Sequence, residues 1–153
     1  MVSQATHFDS EALGSRRAII RRNPENAQEI EMIEAAWGSD PRFSDGVSYE
    51  FVRAEGRVFP SRRCLVPASE FQIRNGEKKF RVRREDGNFF YLAAVWEPAM
   101  GDWPVSYRIL TVDANPEVIR YQARQGVLIE RRQRMAWLDH EVPEADILVT
   151  PPA

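Results

Sequence analysis

Cysteine occurs once in the 153 residues, at Cys64, and histidine twice, at His7 and His140. A single thiol excludes an internal disulfide and a multi-cysteine metal cage. Two imidazoles near opposite ends of the chain have no metal-ligand spacing, so neither a metal nor a cofactor is expected. No signal peptide and no apolar run long enough to span a bilayer is present; the expectation is a cytoplasmic protein without membrane contact. Repeats and low-complexity tracts are also missing. The net charge of −2 excludes a strong general affinity for nucleic acid or anionic lipid. Its distribution is less even. Arg57 to Arg134 holds fifteen Lys/Arg against nine Asp/Glu, with the acids displaced toward Glu25–Glu55 and Asp139–Asp146. One basic face and an ordinary solvated surface are both compatible with that pattern.

What is present suits one globular domain. Hydrophobic residues make up 43% and charged residues 29%, and the length is enough to bury a real core. A single domain over residues 1–153 is expected, with the polar, aperiodic Met1 to Ser15 poorly ordered. The centre of the chain is Arg62-Arg63-Cys64-Leu65-Val66-Pro67-Ala68-Ser69-Glu70-Phe71. Cys64-Leu65-Val66 reads as a strand buried on both faces. Pro67 cannot donate to a ladder and predicts a stop or bulge, with a second strand over Ala68 to Ile73.

Around that centre, Arg16 to Arg22 and Glu29 to Ala36 read as strands joined by the turn Asn23-Pro24-Glu25-Asn26. Val47 to Ala54 is a further strand. Asn75-Gly76 and Asp86-Gly87 are hairpin turns on either side of an alternating strand, Lys78 to Arg84. Phe89 to Trp96 and Tyr107 to Val112 read as buried strands. Asn115-Pro116-Glu117 starts a helix running to about Gln122. Gly126 to Ile129 is a short strand. Glu130 to Leu138 is helical with Met135 and Leu138 on one face, and Pro143 to Val149 forms a last short helix. The sum is an α+β fold: a mostly antiparallel curled sheet or open β-barrel, built from consecutive hairpins, with two or three short peripheral helices.

Several segments, in order, resemble the SRAP family, the SOS-response-associated peptidases. They are Trp37-Gly38, Arg53-Ala54-Glu55, Arg63 to Phe71, Asp86-Gly87 followed by Phe89 to Glu97, Ile109-Leu110-Thr111 with Ala114-Asn115, Arg124 with Val127, and Ala136-Trp137-Leu138-Asp139. The resemblance implies a SRAP-like fold and a bacterial DNA-damage setting. The family's activity is covalent capture of abasic sites in single-stranded DNA through an N-terminal cysteine, whose amine and thiol close a ring on the aldehyde. This chain opens Met1-Val2-Ser3. The family's asparagine lies two residues before the arginine matched by Arg53, which is Phe51 here. Its glutamate position is Ile73 and its histidine position is Gln122. Phe51 and Ile73 carry no protons, and Gln122 is no general acid or base near neutral pH. Glu70 sits at an odd offset from Ile73, on the opposite face of a regular strand. Cys64 is expected to be an inert core thiol.

The resemblance implies that Trp37, Arg53 and Arg124 face DNA, through arginine–phosphate contacts and stacking on unpaired bases, and that Glu55 braces an arginine. Each has a plainer alternative: Trp37 as core, Arg53 paired with an acid, Arg124 at a helix end. The expected function is therefore a catalytically inactive SRAP homologue whose partner is single-stranded or abasic DNA. One alternative is a protein-interaction or small-ligand module with an apolar-filled former site. Another is a residual lyase forming an imine through the terminal amine. The oligomeric state is open.

Overall fold

The computed structural model describes residues 16–38, 51–55, 57–68, 70–75, 78–83, 90–113, 124–139 and 142, with 70–75 and 78–83 described by backbone alone. Arg16–Asn23 (β1) and Asn26–Trp37 (β2) form an antiparallel hairpin, with Ile19 opposite Ile33. Asparagine shapes its tip. Glu25 N–H donates to Asn23 Oδ1 at 2.8 Å and Gln28 N–H to Asn26 Oδ1 at 3.2 Å, the side-chain bonds that make Asn a turn former.

Phe51–Arg53 is β3, Arg63–Ala68 β4, Glu70–Asn75 β5, Lys78–Arg83 β6, Phe90–Glu97 β7 and Ser106–Asp113 β8. β4 lies between β1 and β7, antiparallel to both. β8 runs antiparallel to β7 and parallel to β2. The path β7-β4-β1-β2-β8 thus returns to β7, and five strands close a ring. Alternation along each strand then makes two cores. All five strands contribute Ile19, Trp37, Cys64, Val66, Leu92, Ala94, Tyr107 and Ile109 to one, which is the interior. The other, with Leu65, Ala93, Leu110 and Val112, lies outside the ring beneath Phe59, Trp137 and Leu138.

Beyond residues 94 and 109, β7 and β8 part company. The chain from Arg124 fills that fork: Arg124–Gly126 (β9) pairs with β8 and Leu128–Ile129 (β10) pairs with β7. Between them, Val127 N–H donates to Leu110 O at 3.0 Å and its carbonyl accepts Ala93 N–H at 2.9 Å. Gly126 sits in a tight space. A Cβ there would stand 3.0 Å from Leu92 Cδ2. A 3-10 turn, Arg131–Gln133, leads into a five-residue helix, Arg134–Leu138 (α1). Trp137 anchors this lid, its indole N–H donating to Cys64 O at 2.8 Å. The buried Arg63 guanidinium lies 4.5 Å from the Trp137 ring centroid. It donates to the carbonyls of Phe59, Trp137, Asp139 and Val142, which offsets the desolvation of a cation.

Four expectations change. β4 neither stops nor bulges at Pro67 but runs to Ala68, with Pro67 opposite Tyr91. Ala93 N–H turns away from β4 toward Val127, so Pro67, two residues from Ala93's partner Leu65, has its nitrogen on the β1 side. There the β1 ladder covers only Leu65 and Cys64, and a missing N–H is tolerated. The hairpin series breaks after β6: among the described strands β5 and β6 pair with each other alone, and β7 returns to β4, because a strand apolar on both faces needs two buried neighbours. The expected strand at Gly126 to Ile129 divides between two partners. Leu138 is buried as expected, but Met135 is 53% exposed and Trp137 takes its place in the core; the 3-10 turn before α1 shifts the phase of the apolar positions. Met1 to Ser15, residues 47–50, the turn residues Gly76, Asp86 and Gly87, the helix from Asn115 to Gln122 and the helix Pro143 to Val149 lie outside the described residues. No helix among those described is long and apolar enough to cross a membrane.

Candidate nucleic-acid interface

Past the point where the ring closes, β8 takes new neighbours. β3 lies parallel to it on one edge, with Phe51 opposite Ile109 and Arg53 opposite Thr111. β9 lies antiparallel on the other, with Thr111 opposite Gly126 and Asp113 opposite Arg124. This three-stranded ledge carries the candidate site. Alternation sends Val52 into the outer core, 6% exposed, and turns Phe51 and Arg53 to the face continuous with the ring interior.

Phe51 is half-buried and meets Trp37 edge-on, with ring centroids 5.6 Å apart at 86°. Such a T-shaped pair directs a positive ring edge at a negative face. Trp37 is 2% exposed; it forms the backing of Phe51, and its ring offers no open face on which a base could stack. Arg53, two residues on, is exposed. No hydrogen bond or ion pair joins its side chain to any described residue.

Arg124 is held differently. Its Nη1 donates to Glu55 Oε2 at 2.7 Å and Asp113 Oδ1 at 3.1 Å. Its Nη2 donates to Glu55 Oε1 at 2.8 Å, Thr111 O at 2.8 Å and Thr111 Oγ1 at 2.9 Å. The bidentate fork to Glu55 is the strong arginine–carboxylate geometry. It holds the Glu55 carboxyl down at about 2, chiefly through the Arg124 hydrogen bond, and raises Arg124 by the same bond. Glu55 Oε2 also accepts Asp113 N–H at 3.2 Å, so one carboxylate ties β9 to β8. The brace expected of Glu55 acts on Arg124. Asp113 and Thr111 complete the clamp; Thr111 stood in the Ile109-Leu110-Thr111 motif without a role and Asp113 was not singled out, though their even spacing from Ile109 places all three on one face of β8.

The former-site positions are only partly in view. Phe51 is on the ledge as described. For Ile73 the backbone alone is described, opposite Phe80 in β5–β6. Gln122 lies outside the described residues. The β5–β6 register is unbroken from Glu70 to Asn75, which puts positions 70 and 73 on opposite faces of that hairpin. Cys64 is fully buried in the ring, and burial pushes its thiol up, away from the reactive thiolate. Tyr107, on the same inner face, is raised for the same reason. Among the described residues no group of three or more His, Cys, Asp or Glu could hold a metal ion.

A family model, SOS response associated peptidase (SRAP), matches residues 9–152. Among solved structures, a crystal structure of a protein from Bacteroides thetaiotaomicron is similar, with a TM-score of 0.64 and 18% identity over 87% of this chain. The chain spans 66% of that relative's length. No curated protein matches the sequence. A family match across nearly all of the chain, on a ring of strands whose ledge carries Arg53, Thr111 and Arg124, establishes that the chain belongs to the SRAP family.

Proposed function

We propose that this protein acts in the response to DNA damage as a binder of single-stranded DNA that does not form the covalent adduct associated with its family. The observation that carries the reading is Arg53: an exposed guanidinium without a described partner, on a ledge whose neighbouring position, Phe51, is a hydrocarbon ring where the family has asparagine. A free arginine can take a phosphate with two parallel N–H donors. Arg124, bound by Glu55 and Asp113, contributes by fixing the ledge and lends less charge. Trp37 contributes the shape of the wall behind Phe51. Phe51, Ile73 and Gln122 supply no group that could pass a proton between an amine and an aldehyde.

Polarisation of a labelled oligothymidylate tests the binding. Saturable binding at low salt, falling as salt rises and weakened several-fold by Arg53→Ala, is expected. No binding at low salt would overturn the reading. Borohydride trapping on abasic DNA, with an active family member in parallel, tests the chemistry: the active protein is trapped and this one is not.

The Phe51–Trp37 contact favours a second reading, an apolar docking point for a protein partner or a small ligand on the same ledge. In that case the oligothymidylate does not bind, and Phe51→Ser abolishes the complex while Arg53→Ala leaves it intact.

A further inference from the structure

We infer a second binding site, for a nucleoside phosphomonoester, at the other end of the ring from the ledge. The ledge grows from the Asp113 end of β8. The opposite mouth, where β7 ends at Glu97 and β4 begins at Arg63, holds a hollow of about 610 Å³, within the usual range for small-molecule sites, roughly 300–1,000 Å³. Its walls are apolar: Pro24, Pro98, Ala99, Val105, Leu138 and the ring of Trp96. Its polar side is basic, with Arg21, Arg22 and Arg62 lining it and no Asp or Glu among the lining residues.

The charges do not cancel. Arg21 is paired with Glu31 at 2.8 Å and lies 4.4 Å from the Trp96 ring centroid. Arg22 donates Nε to Leu138 O at 3.1 Å and Nη1 to Ala27 O at 2.7 Å. Carbonyls satisfy its donors without neutralising its charge, and Nη2 makes no bond to a described residue. Arg62 is exposed, and among the described residues its guanidinium lies near the Trp96 ring alone, 5.8 Å from its centroid. Two uncompensated guanidiniums remain beside an apolar wall. A phosphomonoester carries roughly two negative charges near neutral pH, and a nucleoside gives it a flat body for that wall. Arginine is the side chain suited to phosphate by its planar fork.

A second feature points to the same residue. Arg62 has φ +61°, a left-handed conformation that costs a side-chain-bearing residue energy. Trp96 N–H donates to Arg62 O at 2.9 Å and so locks it. The strained turn places Arg62 on the rim of the hollow, beside the indole of Trp96. Strain held at a charged, exposed position is characteristic of binding sites.

The phosphate could reach the hollow on a free mononucleotide or on the phosphorylated 5′ end of a strand. Titration calorimetry at low salt, with the full chain, separates these sources. AMP and adenosine form one pair of probes; a short oligothymidylate with and without a 5′ phosphate forms the other. Binding of AMP but not adenosine assigns a free nucleotide. A gain in strand affinity from the 5′ phosphate assigns a strand end. In either case Arg62→Ala weakens the phosphate-dependent part of binding at least about tenfold, the loss of one charge-assisted contact, and leaves the affinity for the oligothymidylate without a 5′ phosphate as in the parent. Arg62 is on the surface, and its alanine variant is checked by its thermal melt. The inference is overturned if neither phosphate-bearing probe outperforms its phosphate-free partner, if Arg62→Ala binds the phosphate-bearing probe like the parent, or if Arg62→Ala weakens both members of a pair equally.

Discussion

Replacing Glu55 by Gln tests the clamp that builds the ledge. The parent carboxylate holds Arg124 through two bonds of 2.7 and 2.8 Å and accepts a third from Asp113 N–H. Its ionisation falls from 4.5 to about 2 as a result. In a dry setting that depression would be worth roughly 3 kcal/mol. The side chain is 47% exposed, and solvent screening leaves about 1 kcal/mol. The sign follows from the direction. The folded value lies below the unfolded one, so the contribution is whole above pH 4.5 and drains away as pH falls toward about 2. Urea unfolding of parent and Glu55→Gln should therefore differ by about 1 kcal/mol at neutral pH, with the gap about half or less at pH near 3. The same substitution uncovers the charge of Arg124. Affinity for single-stranded DNA should rise, and its logarithmic salt slope should steepen by about 0.7, one further phosphate contact. Equal stability at neutral pH, or a gap indifferent to pH, would refute the clamp. Raised stability loss without any gain in DNA affinity would refute the ledge as the DNA face.

Trp137→Phe removes the indole N–H that meets Cys64 O at 2.8 Å and part of a fully buried ring; unfolding in urea should show a loss of about 2–4 kcal/mol, and a loss below about half a kcal/mol would mean α1 is not an anchor. Gly126→Ala places a Cβ 3.0 Å from Leu92 Cδ2 and should cost about 1–3 kcal/mol; combining it with Leu92→Val should cost less than the sum of the two single changes, since the neighbours share one space. Cys64, fully buried with its thiol pushed up, should resist a thiol-labelling reagent in the native protein and react at once in denaturant; prompt native labelling would contradict its place in the ring.

Local pattern carried the strands well. The Asn23 turn, the buried run Tyr107 to Val112 and the double burial of Cys64-Leu65-Val66 each depend on residues within a few positions of one another, and local pattern reports such relations directly. The closing of the ring was hidden because it depends on a parallel pairing between Ala36 and Ser106, and no local signal links residues so far apart. Pro67 misled for a related reason: proline disrupts a ladder only where a ladder is present, and the open side of β4 is a fact of tertiary arrangement. The site divides the same way. Arg53 and Phe51 were found from a motif at adjacent positions. The partners of Arg124 lie 69 and 11 residues away in sequence, and choosing a clamp over a helix cap needed the fork between β7 and β8.

That fork has a bearing on ancestry. The five-membered ring is complete before β8 reaches Thr111, so an exchange at the exposed residue 53 alters an appendage, and one at residue 51 reaches the ring only through its contact with Trp37. A lineage can discard or acquire reactive groups there at little hazard to solubility or folding. The layout equally invites grafting: asparagine placed at position 51 would cost the packing of one half-buried ring against Trp37 and leave the strand pairings of the ring as they are.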